Sequence, residues 1–164
     1  MSKTIRCYDY VNQPYEAVRD ALSVDVPVLF RNATKAAASR ARTVASALRV
    51  NVRGIEVGTD ISISVQKIED QPKKVTSPPL TRLQLEWEAA KMPRLFPFMK
   101  AELSIYPLTG TETQLDFLGT YEAPFGVLGD AMDAVVGHRI AEASVHRFIN
   151  EVAEYLRTEL SKPH

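Results

Sequence analysis

The feature that most constrains the fold is a C-terminal amphipathic stripe whose character changes along its length. Between Pro124 and Ser161, apolar or small residues recur at about 100° per residue, which is the spacing of one helix face. The stripe consists of Val127, Ala131, Ala134, His138, Ala141, Val145, Phe148, Ile149, Val152 and Leu156. Its second half is bulky, whereas its first half is mostly alanine with one histidine. We therefore predict one long helix that packs tightly at its C-terminal end and leaves a cavity at its N-terminal end.

Upstream of this helix the hydrophobic period changes to two, which is typical of strands with one buried and one solvated face. Six segments fit the pattern of a strand: residues 3–10, 48–52, 61–65, 83–89, 99–105 and 115–121. Short connections such as residues 109–111 favour antiparallel pairing. We predict one curved antiparallel sheet of about six strands.

Two short helices are predicted after the first strand. Asn12 and Pro14 provide N-cap chemistry for a helix that runs to Leu22, and residues 25–32 are the candidate for the second. The alanine-rich, basic segment from Thr34 to Arg42 fits either a helix or a loop, and the sequence does not decide between them.

Length and composition limit the classes of function. A chain of 164 residues with 45% hydrophobic content fits a single domain over residues 1–164. Its 20 Lys and Arg residues balance 20 Asp and Glu residues, so no overall field attracts nucleic acid. No apolar run is long enough for a bilayer, and residues 1–6 are polar, so we expect no stable membrane insertion and a cytoplasmic protein. Cys7 is the only cysteine, which suits a reducing compartment.

His138 is the sharpest candidate for ligand contact. It lies on the inward stripe between Ala134 and Ala141, where an imidazole can exchange a hydrogen bond with a ligand oxygen. The alternative is a buried histidine that is satisfied by a strand carbonyl or by Glu142. We assign no catalytic residue, because the sequence fixes no second group beside His138. We also predict no metal site and no cofactor, because the three histidines lack ligand spacing.

Three aromatic residues fall in phase with the buried faces of their strands: Trp87, Phe117 and Tyr121. They are either plain core or the aromatic wall of a cavity. Tyr121 is favoured for the pocket because it lies near Pro124, and its hydroxyl supplies a second polar group in an apolar site. The predicted ligand-binding set is His138, Ala134, Ala141, Ala131, Tyr121, Trp87, Met99 and Phe117.

A second apolar stripe runs along the opposite side of the long helix through Met132, Val136 and Ile140. Contiguous apolar surface on a helix is usually covered by another element or by another chain. The loop at residues 92–98 is one candidate cover. A homodimer in which this stripe meets its own symmetry mate is the other.

Two segments resemble a known superfamily. Residues 8–18, YDYVNQPYEAV, are similar to the strand-then-helix opening of the START superfamily, also called SRPBCC, and residues 119–126, GTYEAPFG, are similar to its passage into the long helix. The superfamily includes the birch-pollen-allergen and polyketide cyclase/dehydrase types. The resemblance implies an α+β helix-grip fold, in which the sheet wraps around the C-terminal helix.

The same resemblance leaves several functions open, because members include lipid carriers, hormone receptors and aromatase/cyclases. Our first hypothesis is the binding or transport of an apolar small molecule, lipid-like or polyketide-like, between the sheet and the C-terminal helix. The first alternative is a polyketide cyclase/aromatase-type enzyme in which His138 and Tyr121 move protons. The second alternative is a protein-interaction module that uses the outer face of the helix.

Overall fold

The computed structural model describes residues 2–22, 33, 35–36, 61–89, 99–122 and 131–161. Besides the helical residues 33, 35 and 36, this part of the chain forms five strands and two helices. In chain order they are β1 (Ser2–Val11), α1 (residues 15–22), β2 (Ile61–Gln71), β3 (Leu80–Ala89), β4 (Met99–Thr109), β5 (Glu112–Glu122) and α2 (Ala131–Leu160). The α+β class predicted from the sequence is confirmed.

The five strands form one sheet in the order β1-β5-β4-β3-β2, and every neighbouring pair is antiparallel. The strands predicted from period-two alternation within the described ranges are all present. The predicted strand at residues 48–52, the second short helix at 25–32 and the helix start at Pro124 lie outside the described residues. So does most of the segment at 34–42, in which residues 35 and 36 are helical.

Cross-strand register aligns the inward side chains in rows. Starting at the Tyr121 end of β5, three successive rows across β3, β4 and β5 are Trp87–Met99–Tyr121, Leu85–Ala101–Gly119 and Leu83–Leu103–Phe117. The first and third rows carry bulky side chains, whereas the middle row is small on both β4 and β5. The inner face therefore has a trough of small residues just below Tyr121.

Helix α2 packs against β1 and β5. The predicted inward stripe is confirmed from its middle onwards, because Ala141, Val145, Phe148, Ile149, Val152 and Leu156 are all buried. Burying each large apolar side chain contributes roughly 1.5–3 kcal/mol. The C-terminal end of α2 is tied to β1 by Arg157, whose Nη2 lies 2.8 Å from Asp9 Oδ1 and also donates to the Tyr10 carbonyl.

Helix α1 packs at the same end of the sheet, where Thr81 of β3 lies in the same cross-strand row as Asp9. Its residues Val18 and Leu22 are buried in the core, and the Tyr15 hydroxyl lies 2.6 Å from Thr81 Oγ1 on β3. Thr81 in turn donates to Asp70 Oδ1 of β2 at 2.6 Å. A buried hydroxyl is costly unless it has a partner, so this chain of hydrogen bonds fixes where α1 meets the sheet.

Candidate functional site

Tyr121 and His138 meet at one end of the space between the sheet and α2. The alternation of β5 turns Tyr121 inward, and the helical period of α2 turns His138 towards it. The Tyr121 hydroxyl lies 2.5 Å from His138 Nδ1, and the two rings are 6.0 Å apart at an interplanar angle of 28°. Tyr121 is 5% exposed, whereas the His138 side chain is 31% exposed. The pair thus joins a buried hydroxyl to an imidazole that reaches solvent.

Glu142 extends this contact into a line of three groups. Glu142 follows His138 by one helical turn, and Glu142 Oε2 lies 3.5 Å from His138 Nε2. The two ring nitrogens of His138 therefore face different partners, a hydroxyl and a carboxylate. We call Tyr121, His138 and Glu142 the polar end. From the sequence, Glu142 is one alternative partner of His138, beside a strand carbonyl. The sequence does not predict the contact to Tyr121, which depends on how β5 and α2 pack.

Electrostatics keep the Tyr121 hydroxyl protonated. Burial raises its pKa from 10.0 to about 12, and the negative charge of Glu142 acts in the same direction. A phenol in this environment is a hydrogen-bond donor at neutral pH. The polar end can thus hold a proton between Tyr121 Oη and His138 Nδ1, and the Glu142 carboxylate can orient the imidazole. Such an arrangement can hydrogen-bond to a ligand or move a proton.

Met99 and Gly119 meet in the trough below Tyr121. A Cβ placed on Gly119 would lie 2.5 Å from Met99 Sδ and 3.0 Å from Phe117 Cε1, so the Met99 side chain occupies the space above the glycine. Methionine is flexible and fills irregular gaps readily. Gly119 was absent from the predicted site, although its place within an otherwise bulky alternation is the signal that marks it.

Trp87 and Phe117 lie deeper and pack around Phe148 of α2. The Trp87 ring is 5.2 Å from Phe148 and 6.2 Å from Phe117, and each contact is edge-to-face. All three residues are 0% exposed. We call these three residues the aromatic cluster. Trp87 and Phe117, both members of the predicted binding set, thus lie beside the tightly packed half of α2.

Of the other four residues in the predicted binding set, the structure describes the side chains of two. Ala141 is buried at 3% exposure and Met99 at 1%. Ala131 and Ala134 belong to the first turns of α2, but their side chains lie outside the description. The structure therefore brings Tyr121 and His138 together, and Met99 lies directly opposite Tyr121 on the neighbouring strand. The alanine-lined cavity stays a prediction.

A second imidazole contact lies further along the interface between α2 and β1. Cys7 Sγ is 3.4 Å from His146 Nδ1. Burial raises the pKa of the Cys7 thiol from 9.0 to about 11, with smaller contributions from Asp9, Asp116 and Glu142. A thiol with a raised pKa is a weak nucleophile at neutral pH, so we assign the Cys7 contact to packing.

The outer face of the sheet carries an open depression of about 400 Å³. Its lining combines polar and apolar residues: Gln66, Gln84, Leu85, Glu86, Lys100, Ala101, Glu102, Leu118 and Thr120. Glu86 and Lys100 are directly opposed in the register of β3 and β4, which indicates an ordinary solvated sheet face.

Neither a metal cluster nor a membrane span is found in the part of the chain that the structure describes. Within those ranges, His, Cys, Asp and Glu residues do not gather in groups of three that could hold an ion. No described helix combines the length and the hydropathy needed to cross a bilayer.

The fold matches solved structures along nearly the whole chain. No family model and no curated protein matches the sequence. The Zhui aromatase/cyclase from Streptomyces sp. R1128 is similar in structure with a TM-score of 0.51 at 11% identity, and the match covers 98% of this chain and 96% of that one. Norcoclaurine synthase from Thalictrum flavum gives a TM-score of 0.50 at 9% identity, with 100% and 90% covered.

The fold of these structures is the one that the sequence resemblance implied: a strand, helical connections, an antiparallel sheet and a long C-terminal helix. The chain therefore has a helix-grip fold, in which an antiparallel sheet packs against the long C-terminal helix. At such low identity the likeness establishes the fold alone, and function has to be argued from the site.

Proposed function

We propose that this protein binds an apolar small molecule, lipid-like or polyketide-like, between the sheet and the first half of α2. Tyr121 and His138 contact its polar atom, Met99 and Ala141 contact its apolar body, and Ala131 and Ala134 line the space above. Trp87 and Phe117 form the floor of the site through the aromatic cluster. Small-molecule sites are typically apolar with a few polar groups that fix orientation.

The observation that carries this proposal is the contact between Tyr121 and His138. It places a hydroxyl and an imidazole, 2.5 Å apart, at the border of an otherwise apolar interface. Tyr121 is 5% exposed, whereas the His138 side chain is 31% exposed, so the contact joins the buried interface to solvent. The fold supports the proposal as well, because the Thalictrum flavum synthase was solved in complex with dopamine and hydroxybenzaldehyde.

Native mass spectrometry of freshly purified protein tests the proposal directly. We expect a retained small molecule at one copy per chain, whose mass identifies it. A matched pair of substitutions locates the site. Ala134→Phe fills the predicted cavity and should abolish retention, whereas Ala143→Phe makes the same change elsewhere on α2 and should not. Equal retention in both variants would contradict the proposed site.

The line of Tyr121, His138 and Glu142 favours a second candidate, a cyclase-type enzyme. In an intramolecular aldol step, the site removes a proton from the carbon beside one ketone, and that carbon attacks a second ketone of the same molecule. The proton then returns to the new alkoxide, so no co-reactant is consumed. His138 is the group that takes and returns the proton through the Tyr121 hydroxyl.

Proton exchange on a simple ketone tests this second candidate. With acetylnaphthalene in heavy water, wild-type protein should accelerate deuterium incorporation into the acetyl group, as followed by proton NMR. His138→Gln should remove the acceleration. Acetylnaphthalene that binds without accelerated exchange would contradict the enzyme and leave the binding function intact.

We further propose that the protein acts in the cytoplasm without nucleic acid as a partner. The free, buried thiol of Cys7 fits a reducing compartment, and the balance of charges disfavours nucleic acid. Pairing of two copies through Met132, Val136 and Ile140 stays a prediction, because these side chains lie outside the description. Sedimentation of wild type and Val136→Glu tests this pairing. A wild-type dimer that the substitution converts into a monomer would support it, and a wild-type monomer would contradict it.

A further inference from the structure

The polar end has a fixed number of hydrogen-bond donors, and counting them limits which ligand it accepts. Resting on the binding function proposed above, we propose that the site selects a neutral head group that donates a hydrogen bond, such as an alcohol or a phenol. Ketones and carboxylates are disfavoured at the same position. The positions of the protons on Tyr121 and His138 determine this preference.

Glu142 determines the tautomer of His138. In a neutral imidazole one ring nitrogen carries a proton and the other accepts a hydrogen bond. Glu142 Oε2 lies 3.5 Å from His138 Nε2, and the negative charge of a carboxylate stabilises a proton on the nitrogen that it faces. The proton of the imidazole is therefore on Nε2, and Nδ1 is an acceptor.

This tautomer determines the hydrogen bonding of Tyr121. Its hydroxyl lies 2.5 Å from His138 Nδ1, so an accepting Nδ1 takes the one proton that the phenol can donate. The lone pairs of Tyr121 Oη then remain for a ligand. A ligand hydroxyl adds a hydrogen bond to this oxygen without breaking any other. A ketone can bond to Tyr121 only if the phenol turns its proton away, which leaves Nδ1 without its partner.

The negative charge of Glu142 disfavours an anionic head group. Glu142 places a negative charge at the polar end; its side chain is 54% exposed, so solvent screens part of that charge, whereas the Tyr121 hydroxyl is buried. The same two factors raise the pKa of Tyr121 to about 12, which means that they oppose a second negative charge there. A ligand carboxylate would experience the same opposition. The head group that fits is neutral as well as donating.

A set of four naphthalenes tests this selectivity with a constant apolar body. They are unsubstituted naphthalene and three derivatives with the group at the same ring position: naphthol, acetylnaphthalene and naphthoate. Binding is followed by displacement of a fluorescent apolar dye at about pH 8, where the carboxyl group of naphthoate is ionised. We expect wild type to bind naphthol about 5-fold more tightly than acetylnaphthalene, the factor expected for one net hydrogen bond. Naphthoate should bind least tightly.

Three variants assign the effect to the polar end. Tyr121→Phe should bind naphthol and acetylnaphthalene equally. Glu142→Gln should reduce the preference for naphthol and improve the binding of naphthoate. Glu151→Gln is the matched control, because it also removes a carboxylate from an i,i+4 pair on α2, the one with Arg147, and it should behave as wild type.

Nitrogen NMR gives a readout that needs no ligand. The ring nitrogens of His138, assigned by their absence in His138→Gln, should show the proton on Nε2 in wild type. A proton on Nδ1 would overturn the proposal. So would equal binding of naphthol and acetylnaphthalene to wild type, in which case the binding function still stands. If none of the four compounds binds to wild type, the binding function fails and the selectivity fails with it.

Discussion

The aromatic cluster and the polar end share one sheet-helix interface but differ in burial and in polarity. Trp87, Phe117 and Phe148 have no exposed surface and meet edge-to-face at 5.2–6.4 Å. A few residues away, Tyr121 and His138 bring a hydroxyl and an imidazole together, and the imidazole reaches solvent. The first region is built to keep α2 in place, and the second has polar atoms that can be reached from outside.

The contrast indicates a division of labour along α2. Its C-terminal half gains its stability from apolar burial and from the tie between Arg157 and β1. Its N-terminal half is rich in alanine and carries His138, residues that bury less apolar surface than the bulky residues of the other half. Four substitutions, taken in order of decreasing effect on the free energy of unfolding, test where one region ends and the other begins.

Phe148→Ala should have the largest effect. The side chain is fully buried between two aromatic rings, and truncation leaves a cavity as well as losing apolar burial, so we expect the free energy of unfolding to fall by about 3–5 kcal/mol. Urea denaturation measures it. Phe148→Leu keeps most of the volume and should cost less than half as much. A loss below about 1 kcal/mol for Phe148→Ala would mean that the cluster is loosely packed.

Cys7 should make stability depend on alkaline pH. Its pKa is about 11 in the folded protein and 9.0 without burial, so the unfolded chain ionises first. The folding stability that this group contributes is complete below pH 9 and is lost as pH rises through 11. Between these values, wild type should lose roughly 2–3 kcal/mol more than Cys7→Ala, as measured by denaturation at each pH. Identical pH profiles would show that Cys7 is solvated and that the tightly packed region ends before it.

Gly119→Ala tests the trough between the two regions. The added Cβ would lie 2.5 Å from Met99 Sδ, so Met99 has to move, and we expect a cost of about 1–2 kcal/mol. In a Met99→Ala background the same substitution should cost less, because the competing side chain is gone. An unchanged cost in that background would mean that Phe117, whose Cε1 would lie 3.0 Å from the new methyl group, opposes it rather than Met99.

Sequence reasoning predicted the elements of the fold well and the contacts of the site less well, for a physical reason. Period-two alternation on four strands and the bulky half-stripe of α2 are local patterns that burial imposes directly, and each is observed. The contact between Tyr121 and His138 joins β5 to α2, and its 2.5 Å distance depends on how the helix settles on the sheet. Alternation marked Tyr121 as inward and the helical period marked His138, but neither pattern carries the distance between them. Alternation also assigned Gly119 to the inward face, but its role was missed because the pattern does not show that Met99 fills the space above it.

Tyr121→Phe should have the smallest effect on stability of the four. It keeps the ring and removes one hydroxyl, and a neutral hydrogen bond contributes about 0.5–1.5 kcal/mol net. His138 is 31% exposed, so water can replace the lost partner of Nδ1, and we expect a loss near the lower end of that range. Denaturation beside Phe148→Ala gives the comparison under the same conditions. A loss above about 2 kcal/mol would mean that the hydroxyl satisfies a sealed, buried imidazole, and the polar end would then belong to the core. A small loss, together with the loss of selectivity between naphthol and acetylnaphthalene, would show that the hydroxyl serves a ligand more than it serves the fold.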